Sequence, residues 1–328
     1  MLNSNKNKLN SDKNVMPSFD AISSFDVRKR QSFKKSALTV LLSVVASFSS
    51  SVLASNTVAS NALDSDTNSK TERIISAGAA VTEIIEALGA EEQLVAIDVT
   101  SEQPSGKSLP VVGYHRQLST EGLMALQPSL LIGSDEMGPD STLNTLKQAG
   151  ITVAVVNNEA TIEGLDKRID QIADITGKQQ QATSIKQNVD KQVVALKSHQ
   201  PQDKKKVMFL LIHDGRPANV AGNHTTPNAL IEMMGAINPA AASFDSYKPI
   251  SLESMIEMQP DVILVSGRSL DDLGGAEAIL KKMPMLAATP AGKAHNIISI
   301  DGKALVGGVG LKTLSEAERI QPLIYPSE

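Results

Sequence analysis

The 328 residues include no cysteine and no tryptophan, and only three tyrosines and five histidines. Without cysteine, disulfides, thiolate metal sites and cysteine nucleophiles are excluded. The net charge is -5. That lacks the basic stripe a nucleic-acid partner requires, so none is expected. The serine-hydrolase GxSxG, the zinc-protease HExxH, the Walker A loop and the carboxylate cluster of a hydrolytic centre are missing too, and no enzyme is expected. No GxGxxG follows a strand near the start, which removes the dinucleotide fingerprint. The histidines are scattered, and none pairs at metal-site spacing, which counts against a zinc or manganese carrier.

What is there begins with a leader. "VRKRQSFKK" (27–35) is a positive run, and "SALTVLLSVVASFSSSVLA" (36–54) is an apolar run fading into small residues. Its strongly apolar part is about 11–12 residues, short of the ~20 that span a bilayer. Val52-Leu53-Ala54 has the small-x-small pattern of signal-peptidase sites, so cleavage near Ala54 and export to the periplasm are expected. No lipid anchor is expected, because no cysteine follows the apolar run. Residues 1–54 read as a signal peptide and 55–72 as a polar, disordered lead.

From residue 73 the pattern is strand, helix, strand. "RIISAG" is a β-branched strand ending in glycine, and "AAVTEIIEALG" is a helix with a glycine stop. "STEGLMALQPSLLIGS" (119–134) and "SLESMIEMQPDVILVSG" (251–267) share one grammar: serine, acid, apolar helix, Gln-Pro, strand. They read as an internal repeat with a period of roughly 130 residues. The βα alternation predicts a parallel, doubly wound sheet arrangement in two similar halves, at 73–160 and 201–328. Residues 161–200 contain no strand run and no proline; apolar residues at helical spacing predict a helical bridge broken at Gly177. A helix over 178–199 would be about 33 Å long and join the lobes as a rigid rod.

One triplet stands out, in "LPVVGYHRQLSTEG" (109–122). The chain arrives extended after Pro110, so alternation puts Tyr114 and Arg116 on one side and His115 on the other. The segment follows the second βα unit, at the edge where open α/β sheets bind ligands. Arginine offers fixed donors to a carboxylate. A tyrosine oxygen is a hard ligand once ferric iron has displaced its proton, and haem is among the few centres for which tyrosine is an axial ligand. From spacing alone, a loop-packed tyrosine beside an exposed arginine fits as well.

Together, "RIISAGAAVTEIIEALG", "LPVVGYHRQLSTEGLMALQPSLLIGSDEMGP", "AGNHTTPNALIEMMG" and "PISLESMIEMQPDVILVSGRSLDDLGG" resemble the periplasmic haem-binding proteins of bacterial haem ABC importers. These belong to the helical-backbone (class III) substrate-binding proteins, which also serve siderophores and cobalamin. The resemblance spans about residues 73 to 325. It implies an α/β fold of two Rossmann-like lobes with parallel sheets joined by a long bridging helix, with haem b as the transported ligand in the cleft between them. Tyr114 occupies the axial position of that motif, while Arg116 and Arg268 occupy positions near the propionates. It also implies a monomer that meets an inner-membrane ABC permease and its ATPase.

Further candidates follow from the resemblance. His213, after the first strand of the second lobe, sits where some members place a second iron ligand; a satisfied strand-end histidine is the alternative. Met137, in "MGPDS", is placed against a porphyrin face, with core filling as the alternative. Glu83 is expected to dock on the permease or stand on a solvated helix face, and Glu232 is its second-lobe counterpart. His224 reads as a turn before a helix capped by Thr225 or Thr226; His199 and His295 read as surface residues. A ferric siderophore or cobalamin is the rival ligand. Such pockets usually hold several aromatics, and a Tyr-x-Arg pair suits a metalloporphyrin with two carboxylates better.

Overall fold

The apolar runs at 74–77, 130–133 and 262–266 form strands that end at or just before a glycine or serine. A computed structural model describes residues 72–199, 201–212 and 217–326. The leader and His213 lie outside them. In the first half the order is β1 (Ile74–Ala77), α1 (Ala79–Ala87), β2 (Leu94–Ile97), α2 (Thr120–Ala125), β3 (Leu130–Gly133), α3 (Asp140–Gln148) and β4 (Thr152–Val155). The bridge is α4 (Ile162–Thr176) and α5 (Gln179–Ser198). The second half runs β5 (Val207–Leu211), β6 (Asn219–Ala221), α6 (Thr226–Met233), β7 (Tyr247–Pro249), α7 (Leu252–Glu257) and β8 (Val262–Ser266). It closes with α8 (Gly267–Asp272), α9 (Ala276–Lys282), α10 (Pro290–Lys293), β9 (Ile297–Ile300) and α11 (Leu311–Ile324).

The first sheet has the order β2-β1-β3-β4 and is parallel throughout, as the alternation predicts. The second has the order β7-β6-β5-β8-β9. Only β5, β8 and β9 are parallel there; β6 and β7 run antiparallel at one edge. The sequence reading had no strands at 219–221 or 247–249. Each is three residues long, too short to show an alternation, and Pro249 is tolerated because β7 is an edge strand.

The internal repeat holds at the level of single atoms. Ser119 and Ser251 are the N-caps of α2 and α7, accepting the backbone N–H of Gly122 and Ser254. Gln127 and Gln259, at the Gln-Pro step, both take left-handed conformations, with φ of 48° and 46°. Each turn delivers the chain into a buried central strand, β3 or β8.

Gly177 ends α4 with φ of 71°, the left-handed C-cap that the sequence break anticipates. The bridge is therefore two helices. α5 is the long one, 20 residues or about 30 Å. α4 lies back along it, tied by Lys186 Nζ to the Asp170 carboxylate at 2.6 and 2.8 Å. α4 packs on α1 of the first lobe, whereas α5 packs on α6 and α11 of the second.

Adjacent strand residues divide between cores, as pleating requires. Ile74, Val207 and Phe209 join a central cluster with Leu165, Ile169, Val189, Leu314 and Ile320. Ile75 faces a first-lobe cluster, and Met208 and Leu210 a second-lobe cluster. The central cluster is continuous through both lobes and the bridge, so the lobes share one apolar core.

Candidate functional site

Tyr114 is placed by the edge of the first sheet. Residues 110–113 run beside the carboxyl end of β2: Val112 N donates to Ile97 O at 2.9 Å, and Val99 N to Gly113 O at 2.8 Å. Gly113, with φ of 91°, then turns the chain outward. Beyond Tyr114 the backbone forms a 3-10 turn over His115–Gln117, closed by Gln117 N on Tyr114 O at 2.8 Å. The expected extended triplet is thus a turn. Tyr114, His115 and Arg116 all border the same cleft, but His115 is buried and its ring is engaged by Asp98. The loop carrying Glu136 is stitched on by Gly138 N to His115 O at 2.9 Å and Leu118 N to Gly138 O at 2.7 Å.

His115 is 2% exposed and backs the tyrosine, its ring centroid 4.4 Å from that of Tyr114. Its Nδ1 lies 3.0 Å from Asp98 Oδ2, and its Nε2 lies 3.7 Å from Glu136 Oε2. Asp98 is held in turn by Ser101 at 2.6 Å and Thr100 at 2.7 Å. Burial opposes the charged imidazole, but Asp98 and Glu136 outweigh it and raise the His115 pKa. The outer oxygen of Glu136 pairs with the Arg116 guanidinium.

The second lobe meets this edge with its own. β8 ends at Ser266, and Arg268 stands on the first turn of α8. Arg268 lines the same cleft as Tyr114 and Arg116, with the ends of β5 and β9 beside it. The cleft has a volume of about 1620 Å³. That exceeds the ~300–1,000 Å³ of ordinary small-molecule sites and leaves room for a large ligand. Among the described residues no group of three or more histidines and carboxylates could hold a bare metal ion.

Several residues border the cleft that the sequence reading did not place there. Tyr247 stands on β7, 39% exposed, with its ring edge-on to Phe209 at 6.5 Å. Enclosure between the lobes pushes its phenol pKa up; Glu136 adds to the rise and Arg116 opposes it. His224, with φ of 56° before the Thr225 N-cap, also lines the cleft, as do Glu136 and Lys303. The one signal available for Tyr247 was the rarity of tyrosine. His199 and His295 are surface residues, the latter bonded to Glu277 at 2.7 Å.

Two expected placements change. Met137 is 4% exposed and packs in the first-lobe core with Leu118, Leu123 and Leu146, not in the cleft. It fills the space left by Gly133, where a Cβ would lie 2.4 Å from its Sδ. Glu83 turns inward rather than outward. Its carboxylate accepts Leu311 N at 2.7 Å and Lys312 N at 3.1 Å, capping α11 from the other half of the chain. Burial pushes its pKa up to about 7, against those two bonds and the charges of Arg168 and Lys312. Arg168 is fully buried and donates to Val309 O at 2.9 Å and to Asn157 O. Gly308 makes room for it: a Cβ there would meet Arg168 Nη2 at 2.4 Å. Glu232, in contrast, is exposed on α6, bonded to Asn228 at 2.9 Å.

Two α/β lobes around a shared helical core, with a cleft at the carboxyl ends of both sheets, match the model for "Periplasmic binding protein" over residues 74–304. The chain belongs to the periplasmic binding protein family. Members of this family bind ligands and are not enzymes, and the structural neighbours place the chain in class III. The crystal structure of the periplasmic haem-binding protein HutB of Vibrio cholerae is 61% identical, with a TM-score of 0.75, covering 78% of this chain and all of that one. A periplasmic haem-binding protein from Pseudomonas aeruginosa is 32% identical, with a TM-score of 0.72, over 78% of this chain and 93% of that one. Curated relatives carry a different ligand in their names. The vitamin B12-binding protein of Vibrio parahaemolyticus is 26% identical over 63% of this chain and 75% of its own length.

Proposed function

We propose that this periplasmic binding protein captures haem b in the cleft between its lobes and delivers it to an inner-membrane ABC permease driven by its ATPase. The observation that carries the reading is the meeting of Tyr114, Arg116 and Arg268 from two sheets around one large cleft. Tyr114, 40% exposed, offers its phenol oxygen to ferric iron. The two arginines offer charge-assisted hydrogen bonds to the propionates. The apolar parts of Phe209, Leu211, Tyr247 and Ile300 cover the macrocycle. His213 is the candidate for a second axial ligand. The high identity to a haem-binding neighbour supports this ligand over cobalamin, the name carried by more distant relatives.

The chain acts as a monomer, exported with its leader removed near Ala54. Glu232 is the docking candidate that is exposed on the surface. Glu83 is not carried forward in that role, because its carboxylate is already bound to α11. The shared apolar core opposes wide lobe motion, so release requires the permease to prise the cleft open.

Adding hemin to the purified mature chain tests the reading. A Soret band of tyrosinate-bound ferric haem is expected at one equivalent, and Tyr114→Ala is expected to abolish it. Cyanocobalamin is expected not to compete. No Soret change with hemin in the wild type, with cyanocobalamin bound instead, would reverse the assignment.

A further inference from the structure

The two cleft arginines are not equivalent. Among the described residues no carboxylate pairs with Arg268, whereas Arg116 is already paired with Glu136. The pair ends a chain of contacts from Asp98 through His115 and Glu136 to Arg116. The Glu136 carboxylate therefore compensates Arg116 before any ligand arrives. Glu136 Oε1 holds Nη2 of Arg116, and its negative charge opposes a second carboxylate at the same guanidinium. A ligand carboxylate binds Arg116 best where Glu136 gives up that place.

We propose that Glu136 is an internal competitor for Arg116, a specificity-determining residue that yields the arginine only to a ligand bearing its own carboxylate. Glu136 is built for the exchange. Its second oxygen already lies 3.7 Å from His115 Nε2, so it keeps a polar neighbour after releasing Arg116. Its backbone N–H is held by Ser134 Oγ at 3.2 Å, which keeps it at the site through the exchange. The pair is also weak enough to break, since the Arg116 side chain is 51% exposed. The displaced pair costs the ligand affinity, but a macrocycle without a carboxylate at this position gains nothing from Arg116 at all. This deepens the haem reading and rests on it.

The test is a Soret-band titration of the mature chain with hemin and with hemin dimethyl ester, which lacks both carboxylates. Exposed pairs of this kind set the scale, so Glu136→Gln is expected to bind hemin about two- to fivefold more tightly. Its affinity for the dimethyl ester is expected to stay unchanged. In an Arg116→Ala background the gain is expected to vanish, because no arginine remains to be released. The proposal is overturned if Glu136→Gln binds hemin no more tightly, if the ester gains equally, or if the gain survives Arg116→Ala. Should Glu136→Gln lose its native far-UV signature, Glu136→Ala carries the same test. A wild type that binds neither compound overturns the haem reading together with this one. Hemin binding by the wild type without a gain in the variant overturns this one alone.

Discussion

Glu83 ties stability to pH in a way that one substitution isolates. Its carboxylate caps α11 by accepting Leu311 and Lys312 N–H, and it shares its surroundings with Arg168 from α4. Burial raises its pKa from 4.5 to about 7. A raised carboxylate means that the folded chain holds a proton that the unfolded chain has lost. The stabilisation is fully present below the unfolded value near 4.5 and is lost as pH rises through about 7. At about 1.36 kcal/mol per pKa unit the whole span is of order 3.4 kcal/mol, of which roughly 2.5 kcal/mol disappears between pH 5 and 8. For a chain of this size that is a fall in Tm of about 5–10 °C. Glu83→Gln cannot titrate, so its Tm should fall less over the same interval by that amount, as followed by circular dichroism. The ion pairs of Lys312 with Asp301 and Glu102 are common to both proteins, and their contribution cancels in the difference. Equal pH responses in the two proteins would refute the reasoning. They would show that the α11 N-terminus and Arg168 keep the carboxylate ionised in spite of its burial.

Two further outcomes test the architecture. Gly308→Ala places a Cβ 2.4 Å from Arg168 Nη2 and 2.5 Å from Asn158 O, at a φ of 87°. It should lower stability by more than about 1 kcal/mol in urea unfolding, whereas Ala at an open helix position would raise it. Ser119→Ala and Ser251→Ala each remove a cap from equivalent helices of the repeat. Each should cost about 1 kcal/mol, and the two losses should add, because the helices belong to different lobes.

Much of the fold was legible because its signals are local. The Gln-Pro step after a serine-capped helix appears twice in the sequence and folds twice the same way. Gly177 announced the break in the bridge through its backbone freedom. Strands β6 and β7 were not legible, since three residues carry no periodicity. Tyr114 and Arg116 were found for a partly mistaken reason: the turn over His115–Gln117, not an extended strand, turns His115 onto Asp98.

The sequence by itself determined the βα alternation, the helical bridge and the rare Tyr-x-Arg that the fold brings to the cleft. These follow from composition and short-range periodicity, which constrain a segment wherever it lies. Tertiary structure alone decided the partners. Met137 went into the core because Gly133 left a hole there, and Glu83 turned inward because α11 returned to pack on α1. Tyr247 reached the cleft because an antiparallel edge was added to the second sheet. Glu136 met Arg116 because the loop after β3 folds back onto the turn after Tyr114. Such contacts depend on which elements the shared core brings together, and no local pattern in the chain records that.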